Sequence, residues 1–192
     1  SAAVIWSGYN LTSPANSTYE IGQQLVGVAS DFSDSDGPQI ENIPAEITIT
    51  ESTNTEFIFS NVDILDSDSP DFDGGLLTID IVSGYRDIVN TNQEFADDNF
   101  TIENQGVGQG QISVSGSTVS YAGAAIGTIA QDGQAGNGLH IALNTNATLE
   151  AVNALIQAIG YSNLSTSPQA SREVALRLTD GDGGSSANQV VT

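Results

Sequence analysis

The feature that most limits what this chain can fold into is a series of short segments in which apolar and polar residues alternate. "EITIT" (46–50), "EFIFS" (56–60) and "LLTIDIV" (76–82) show it early, and "REVALRLTD" (172–180) places Val174, Leu176 and Leu178 on one face. A period of two sends successive side chains to opposite faces of an extended backbone, so each segment predicts a strand with one face in a core and one in water. Gly, Asn, Asp and Ser fill the intervals, and these are the residues turns use. "QISVSGSTVSY" (111–121) predicts a hairpin turning at Ser115 to Ser117, with "AAIGTIA" and "LHIALN" as the next strands. Together these signals predict an all-β fold, an antiparallel β-sandwich.

One segment breaks the rhythm. In "NTNATLEAVNALIQAIGY", Leu149, Val152, Leu155, Ile156 and Ile159 recur at helical spacing, with Asn146 or Thr148 as N-cap and Gly160 as the stop. This predicts a short amphipathic helix near 148–159, packed over an open end or face of the sandwich. Residues 1–37 stand apart as an N-terminal extension in which "SAAVIW" and "YEIGQQLVGVAS" each suit a strand, and Pro38 opens the main domain, 38–192. A chain of 192 residues buries a core without staples, and with no cysteine it has neither disulfides nor thiolate chemistry.

The 24 acidic residues face three arginines (Arg86, Arg172, Arg177) and no lysine, a formal charge of -21. Such a charge argues against nucleic acid or an anionic membrane surface as a partner. No run of about eighteen apolar residues occurs, so no inserted helix is expected. Cations are the natural partners; the rival explanation is a salt-adapted surface. Half the acids fall in four short stretches, at 31–36, 63–73, 97–98 and 180–182, which favours sites over a general coating.

The densest stretch, "VDILDSDSPDFDGG" (62–75), holds Asp63, Asp66, Asp68, Asp71 and Asp73. Close carboxylates stay ionised only where water, hydrogen-bond donors or a cation stabilise them. Two readings stand: a solvated turn, or a calcium site, since Ca²⁺ takes roughly six to eight oxygens from carboxylates, carbonyls and water. "DFSDSDG" offers Asp31, Asp34 and Asp36 to a second ion or, equally, to solvent. Asp97 and Asp98 read as solvated loop. The spacing fits neither an EF-hand nor a nonapeptide β-roll.

From Pro38 onward, the order "NIPAEITITES", "DILDSDSPDFDGGLLTIDI", "VSGSTVSYAGAAIGTIA", "LHIALNTNATLEAVNALIQAIGYSN" and "SREVALRLTDGDGGSSA" resembles the cadherin-like, calcium-associated repeats of large bacterial extracellular adhesins and surface proteins. The most specific parts are the D-x-D-S-x-D-F-x-G-G loop, the helix motif and the closing T-D-G-D-G-G. The resemblance implies an immunoglobulin- or cadherin-like sandwich that binds Ca²⁺ at one end and serves as a spacer, adhesive or surface-structure unit outside the cell. Its implied ligands are Asp66, Asp68, Asp71 and Asp73, Asp180 and Asp182 in the last turn, and Glu51. Neighbouring domains or subunits of the same surface assembly are its expected partners.

Catalysis is not expected. His140 is the only histidine and reads as a solvated strand residue, and no nucleophile elbow, P-loop or H-E-x-x-H motif occurs. The competing function is calcium-dependent binding of cell-surface glycans, with Trp6, Tyr9 and Tyr19 as stacking candidates. A more specific structural version is a filament in which "SAAVIW" adds as a strand to an adjacent subunit. Five Asn-x-Ser/Thr triplets begin at Asn10, Asn16, Asn99, Asn146 and Asn163.

Overall fold

A computed structural model describes residues 36–49, 54–83, 96–166, 168 and 171–192. The chain divides into compact units between Ser35 and Asp36, and the described residues belong to the second. Asp36, two residues before Pro38, is the first of them.

The described residues form an all-β domain of three antiparallel sheets and one short helix. In chain order the strands are β1 (Gln39–Glu41), β2 (Glu56–Phe57), β3 (Asp63–Leu65), β4 (Leu76–Ser83), β5 (Asp98–Ile102), β6 (Ile112–Ser115), β7 (Thr118–Tyr121), β8 (Ala124–Asp132), β9 (Leu139–Leu143), β10 (Ile159–Asn163), β11 (Glu173–Leu178) and β12 (Gln189–Val191), with α1 (Leu149–Gln157) before β10. The seven-stranded sheet runs β12-β11-β4-β9-β8-β7-β6, a second runs β2-β10-β5, and β1 pairs with β3 alone.

Register converts the alternation into a core. Leu178 lies opposite Leu77, Leu77 opposite Ile141, and Ile141 opposite Ile129; the next inward row is Leu176, Ile79 and Leu139. These join Phe59, Ile64, Phe72, Phe100, Val152, Leu155 and Ile156 in one apolar cluster. Each such side chain contributes about 1.5–3 kcal/mol on burial. The alternate residues Thr78 and Asp80, and His140 and Ala142, occupy the other face. The predicted hairpin forms as β6 and β7, with Ser115 opposite Thr118 and Gly116 at φ 59°. His140 lies on β9, half-buried, with Nε2 2.9 Å from Asp80 Oδ1.

The helix starts where its cap dictates. Thr148 Oγ1 accepts from Ala151 N at 3.3 Å, and Ala151, Val152, Leu155 and Ile156 are buried. It ends earlier than the periodicity suggests. Ile159 begins β10, and Gly160 is a strand residue, not a stop: a Cβ there would stand 2.1 Å from Thr55 Cγ2. Two polar side chains of the helix complete the edge of β3. Asn153 accepts from Ile64 N (2.7 Å) and donates to Ile64 O (3.3 Å), while Gln157 donates to Val62 O (3.0 Å).

Two expected strands change. In "EFIFS" only Glu56–Phe57 is a strand, because successive Ile58 and Phe59 are both buried in a turn closed by Val62 N donating to Phe59 O. Residues 46–49 form none; Ile47 N donates to Thr192 O and Thr192 N to Ala45 O, a single pairing at the end of β12 rather than a ladder. Asp98 is a correction of a different kind. It is 1% exposed and starts β5, so it is no solvated loop residue.

Candidate cation site

The acidic loop and the last turn are separated by about a hundred residues, yet strand pairing brings them to one end of the domain. Thr179 N donates to Leu76 O (3.0 Å), and Leu76 N donates to Thr179 Oγ1 (2.8 Å), extending the β4–β11 ladder to its end. Beyond it the backbones touch. A Cβ on Gly75 would stand 2.3 Å from Thr179 O, and one on Gly181 2.0 Å from Asp73 O, so glycine is required on both sides.

The third contributor is the start of the described domain. Because Gln39 lies opposite Leu65, the chain before β1 runs beside Asp66 and the loop that follows it. There, a Cβ on Gly37 would stand 2.2 Å from Ser185 N, and a Cβ on Gly184 would stand 2.6 Å from Gly37 Cα and 2.0 Å from Asp180 Oδ2. The acidic loop, the last turn and the segment that begins at Asp36 thus share one end.

Asp180 is the most constrained of these acids. Its Oδ1 accepts from the backbone N–H groups of Asp182 (2.9 Å), Gly183 (3.1 Å) and Gly184 (2.9 Å), and the residue is 0% exposed. Its Oδ2 is buried with no hydrogen-bond partner. Asp66 repeats the pattern on a smaller scale: Oδ1 accepts from Ser69 N (3.1 Å) and more weakly from Asp68 N (3.4 Å), while Oδ2 is buried and unpartnered, as is Ser69 Oγ. Buried oxygens of this kind cost about 1–3 kcal/mol each, and more when charged, unless something bonds them.

The other predicted ligands are placed less uniformly. Asp71 is half-buried, with Oδ1 accepting from Asp73 N (3.0 Å) and Oδ2 from Thr145 Oγ1 (3.4 Å), which ties the loop to the start of α1. Asp36, Asp68, Asp73 and Asp182 are exposed. Glu51, Asp31 and Asp34 lie outside the described residues, as do Trp6, Tyr9, Tyr19 and the segment "SAAVIW". Among the described residues no three His, Cys, Asp or Glu side chains come close enough to hold a metal by themselves. A cation here would draw on one or two carboxylates, with carbonyl oxygens, Ser69 Oγ and water completing the shell. That donor set is all oxygen and suits Ca²⁺, whose coordination number is variable, better than the near-ideal octahedron of Mg²⁺. Ser69 was not among the residues the sequence singled out, because a serine before Pro70 reads only as turn composition.

Burial raises the Asp66 carboxyl above its ordinary 3.8; its bond from Ser69 N opposes this in part, while Asp68 adds to it. The sign follows: a carboxyl raised on folding weakens the fold when ionised, so the penalty is present at neutral pH and is relieved as pH falls through the raised value toward 3.8. Asp66→Asn, which keeps an Oδ1 acceptor, is therefore expected to melt no lower than the parent in EDTA at pH 7, and melting both proteins between pH 7 and 4 checks this. A midpoint several degrees below the parent at pH 7 would show that the ionised carboxylate is already satisfied.

At the opposite end of β11 lies a second buried carboxylate with every oxygen bonded. Asp98 Oδ1 accepts from Tyr161 Oη and from Asn163 Nδ2 (2.5 Å), and Oδ2 accepts from Arg172 Nε (2.9 Å). Of the three described Asn-x-Ser/Thr triplets only Asn146 is exposed, and its amide, like those of Asn99 and Asn163, is hydrogen-bonded, here to Ala125 O (3.0 Å). No described helix is long and apolar enough to cross a membrane. Comparison of the chain with family models, with curated proteins and with solved structures gives no match.

Proposed function

We propose that the chain is a non-enzymatic, calcium-stabilised structural or adhesive domain of an extracellular surface protein, an immunoglobulin- or cadherin-like β-sandwich whose partners are neighbouring domains or subunits of the same assembly. The observation that carries this reading is Asp180: a fully buried carboxylate with one oxygen held by three backbone donors and the other bonded to nothing. The orphaned oxygens of Asp66 and Ser69 in the neighbouring loop support it. Ca²⁺ would supply the positive charge that these oxygens lack, and because an unfolded chain does not gather them, binding becomes folding free energy. The chain's own contribution is to hold them: the β4–β11 ladder fixes Asp180, Phe72 fixes the acidic loop, and the glycines let three backbones meet.

Extracellular modules bind Ca²⁺ with Kd of about 10⁻⁴ to 10⁻³ M. At ten millimolar Ca²⁺ that corresponds to about 1.4–2.7 kcal/mol, or about 3–11 °C in melting temperature for a domain of this size. Thermal melts in EDTA and in Ca²⁺ are expected to differ by this amount. Asp180→Asn, and separately Asp66→Asn with Asp68→Asn, should remove most of the difference. Superimposable melts of the parent chain would reject the calcium reading and leave a wet acidic surface.

A further inference from the structure

We infer that the cation bound at Asp180 also acts as the clasp that fastens the domain's first strand, β1, to the loop after β11; this rests on the calcium reading above. β1 pairs with β3 alone, and that ribbon shares no ladder with the other two sheets. Its two strands are anchored unequally. β3 is bonded along its backbone to α1 through Asn153 and Gln157, and Ile64 is in the core. β1 is held more lightly: Ile40 is only partly buried against the core and Asn42, just after the strand, donates to Asp63 Oδ2 (2.9 Å), but no helix side chain bonds its backbone. In the segment leading into it, Gly37 is pressed against Gly184 and Ser185, at separations that only a glycine at 37 and at 184 permits.

That contact is close but unbonded. Among the described residues no hydrogen bond joins Gly37 to Gly184 or Ser185, and Gly37 O accepts from Gln39 Nε2 (3.1 Å) on its own side of the contact. The unpartnered Oδ2 of Asp180 lies at this seam, over Gly184, whose missing Cβ would touch both it and Gly37. Two backbones packed beside an unpartnered carboxylate oxygen, with no hydrogen bond or counter-charge joining them, do not hold together well unaided. A cation taking Asp180 Oδ2 from one side and an oxygen of Asp36, joined to Gly37 N at the seam, from the other supplies the attraction that the protein atoms omit. Calcium loss then frees the leading segment and β1 first, while β3 stays on the helix, because local opening follows the weakest anchored element.

The test is hydrogen exchange of the full chain, with mass-spectrometric readout, in EDTA and in ten millimolar Ca²⁺ at a temperature well below both melting points. The β1 amides of residues 39–41 and those of 182–186 are expected to exchange about 10- to 100-fold more slowly with Ca²⁺, the factor by which occupancy at the expected Kd disfavours an open form that cannot hold the ion. The amides of α1 and β9 should change by less than about twofold. In Asp180→Asn the difference at 39–41 should vanish; the parent's own pair of measurements decides the matter if that variant does not fold. A calcium-dependent melt with unchanged exchange at 39–41, or with equal slowing at every amide, overturns the clasp and leaves the calcium reading intact. No response in either melt or exchange rejects both.

Discussion

Replacing Arg172 with alanine should lower stability by about 3–5 kcal/mol, even though the arginine lies at the end of the domain away from the acidic loops. Asp98 has a fully buried side chain, and Arg172, with a side chain only 10% exposed, is its one counter-charge among the described residues. Tyr161 and Asn163 remain as donors in the variant, but neither carries charge, so a buried carboxylate is left uncompensated. Burial, and then the bond to Asp98, push the Tyr161 phenol well above its ordinary 10, so it remains a donor throughout the range in which the domain folds. Urea denaturation of Arg172→Ala, and of the same variant carrying Asp98→Asn, separates charge from packing. The asparagine keeps an acceptor for Tyr161 while removing the charge, and should recover about 1–3 kcal/mol. A loss below about 1 kcal/mol in Arg172→Ala would mean that water reaches Asp98 and that the pair behaves as a surface salt bridge.

The two ends of the domain thus solve the same problem differently. At one, a buried aspartate is satisfied by arginine, tyrosine and asparagine; at the other, Asp180 is half satisfied by its own loop and keeps one oxygen without a hydrogen-bond partner. This contrast was not legible in the sequence. Asp98 reads as loop because its partners lie 63 to 74 positions away, and no local window contains them. Asp180 is visible as an acid, but that Gly181 to Gly184 turn three amides onto one of its oxygens is a property of the folded turn. The long alternating strands β4, β8, β9 and β11 were legible, because a period of two over five or more residues leaves few other ways to bury an apolar face. β1, β3 and β12 have three residues each, too short to show a period, and are specified by what they pack against. The helix was legible from its stripe and cap, whereas its end was not: Gly160 answers to Thr55, a contact made only after β2 and β10 pair.

Phe72→Ala is expected to cost about 3–5 kcal/mol and, in addition, to weaken the response to calcium. Phe72 is 0% exposed, although it stands between Asp71 and Asp73 in the most acidic stretch of the chain. Its backbone is bonded on both sides, N–H to Ala147 O (3.0 Å) and O from Gly75 N (2.9 Å), and its ring is part of the core cluster. The ring is therefore what holds a loop of mutually repelling carboxylates against the fold; truncation leaves a cavity in the core and lets the loop drift away from the β4–β11 end. Both consequences are measurable in one set of melts, with and without Ca²⁺, on Phe72→Ala and on Phe72→Leu. The leucine variant fills most of the space and should keep more than about half of the calcium-induced rise, whereas the alanine variant should keep less than about half. If alanine lowers the midpoint but leaves the calcium-induced rise intact, the ion is held by Asp180 and its neighbouring backbone alone, and the aspartates from 66 to 73 serve the surface rather than the site.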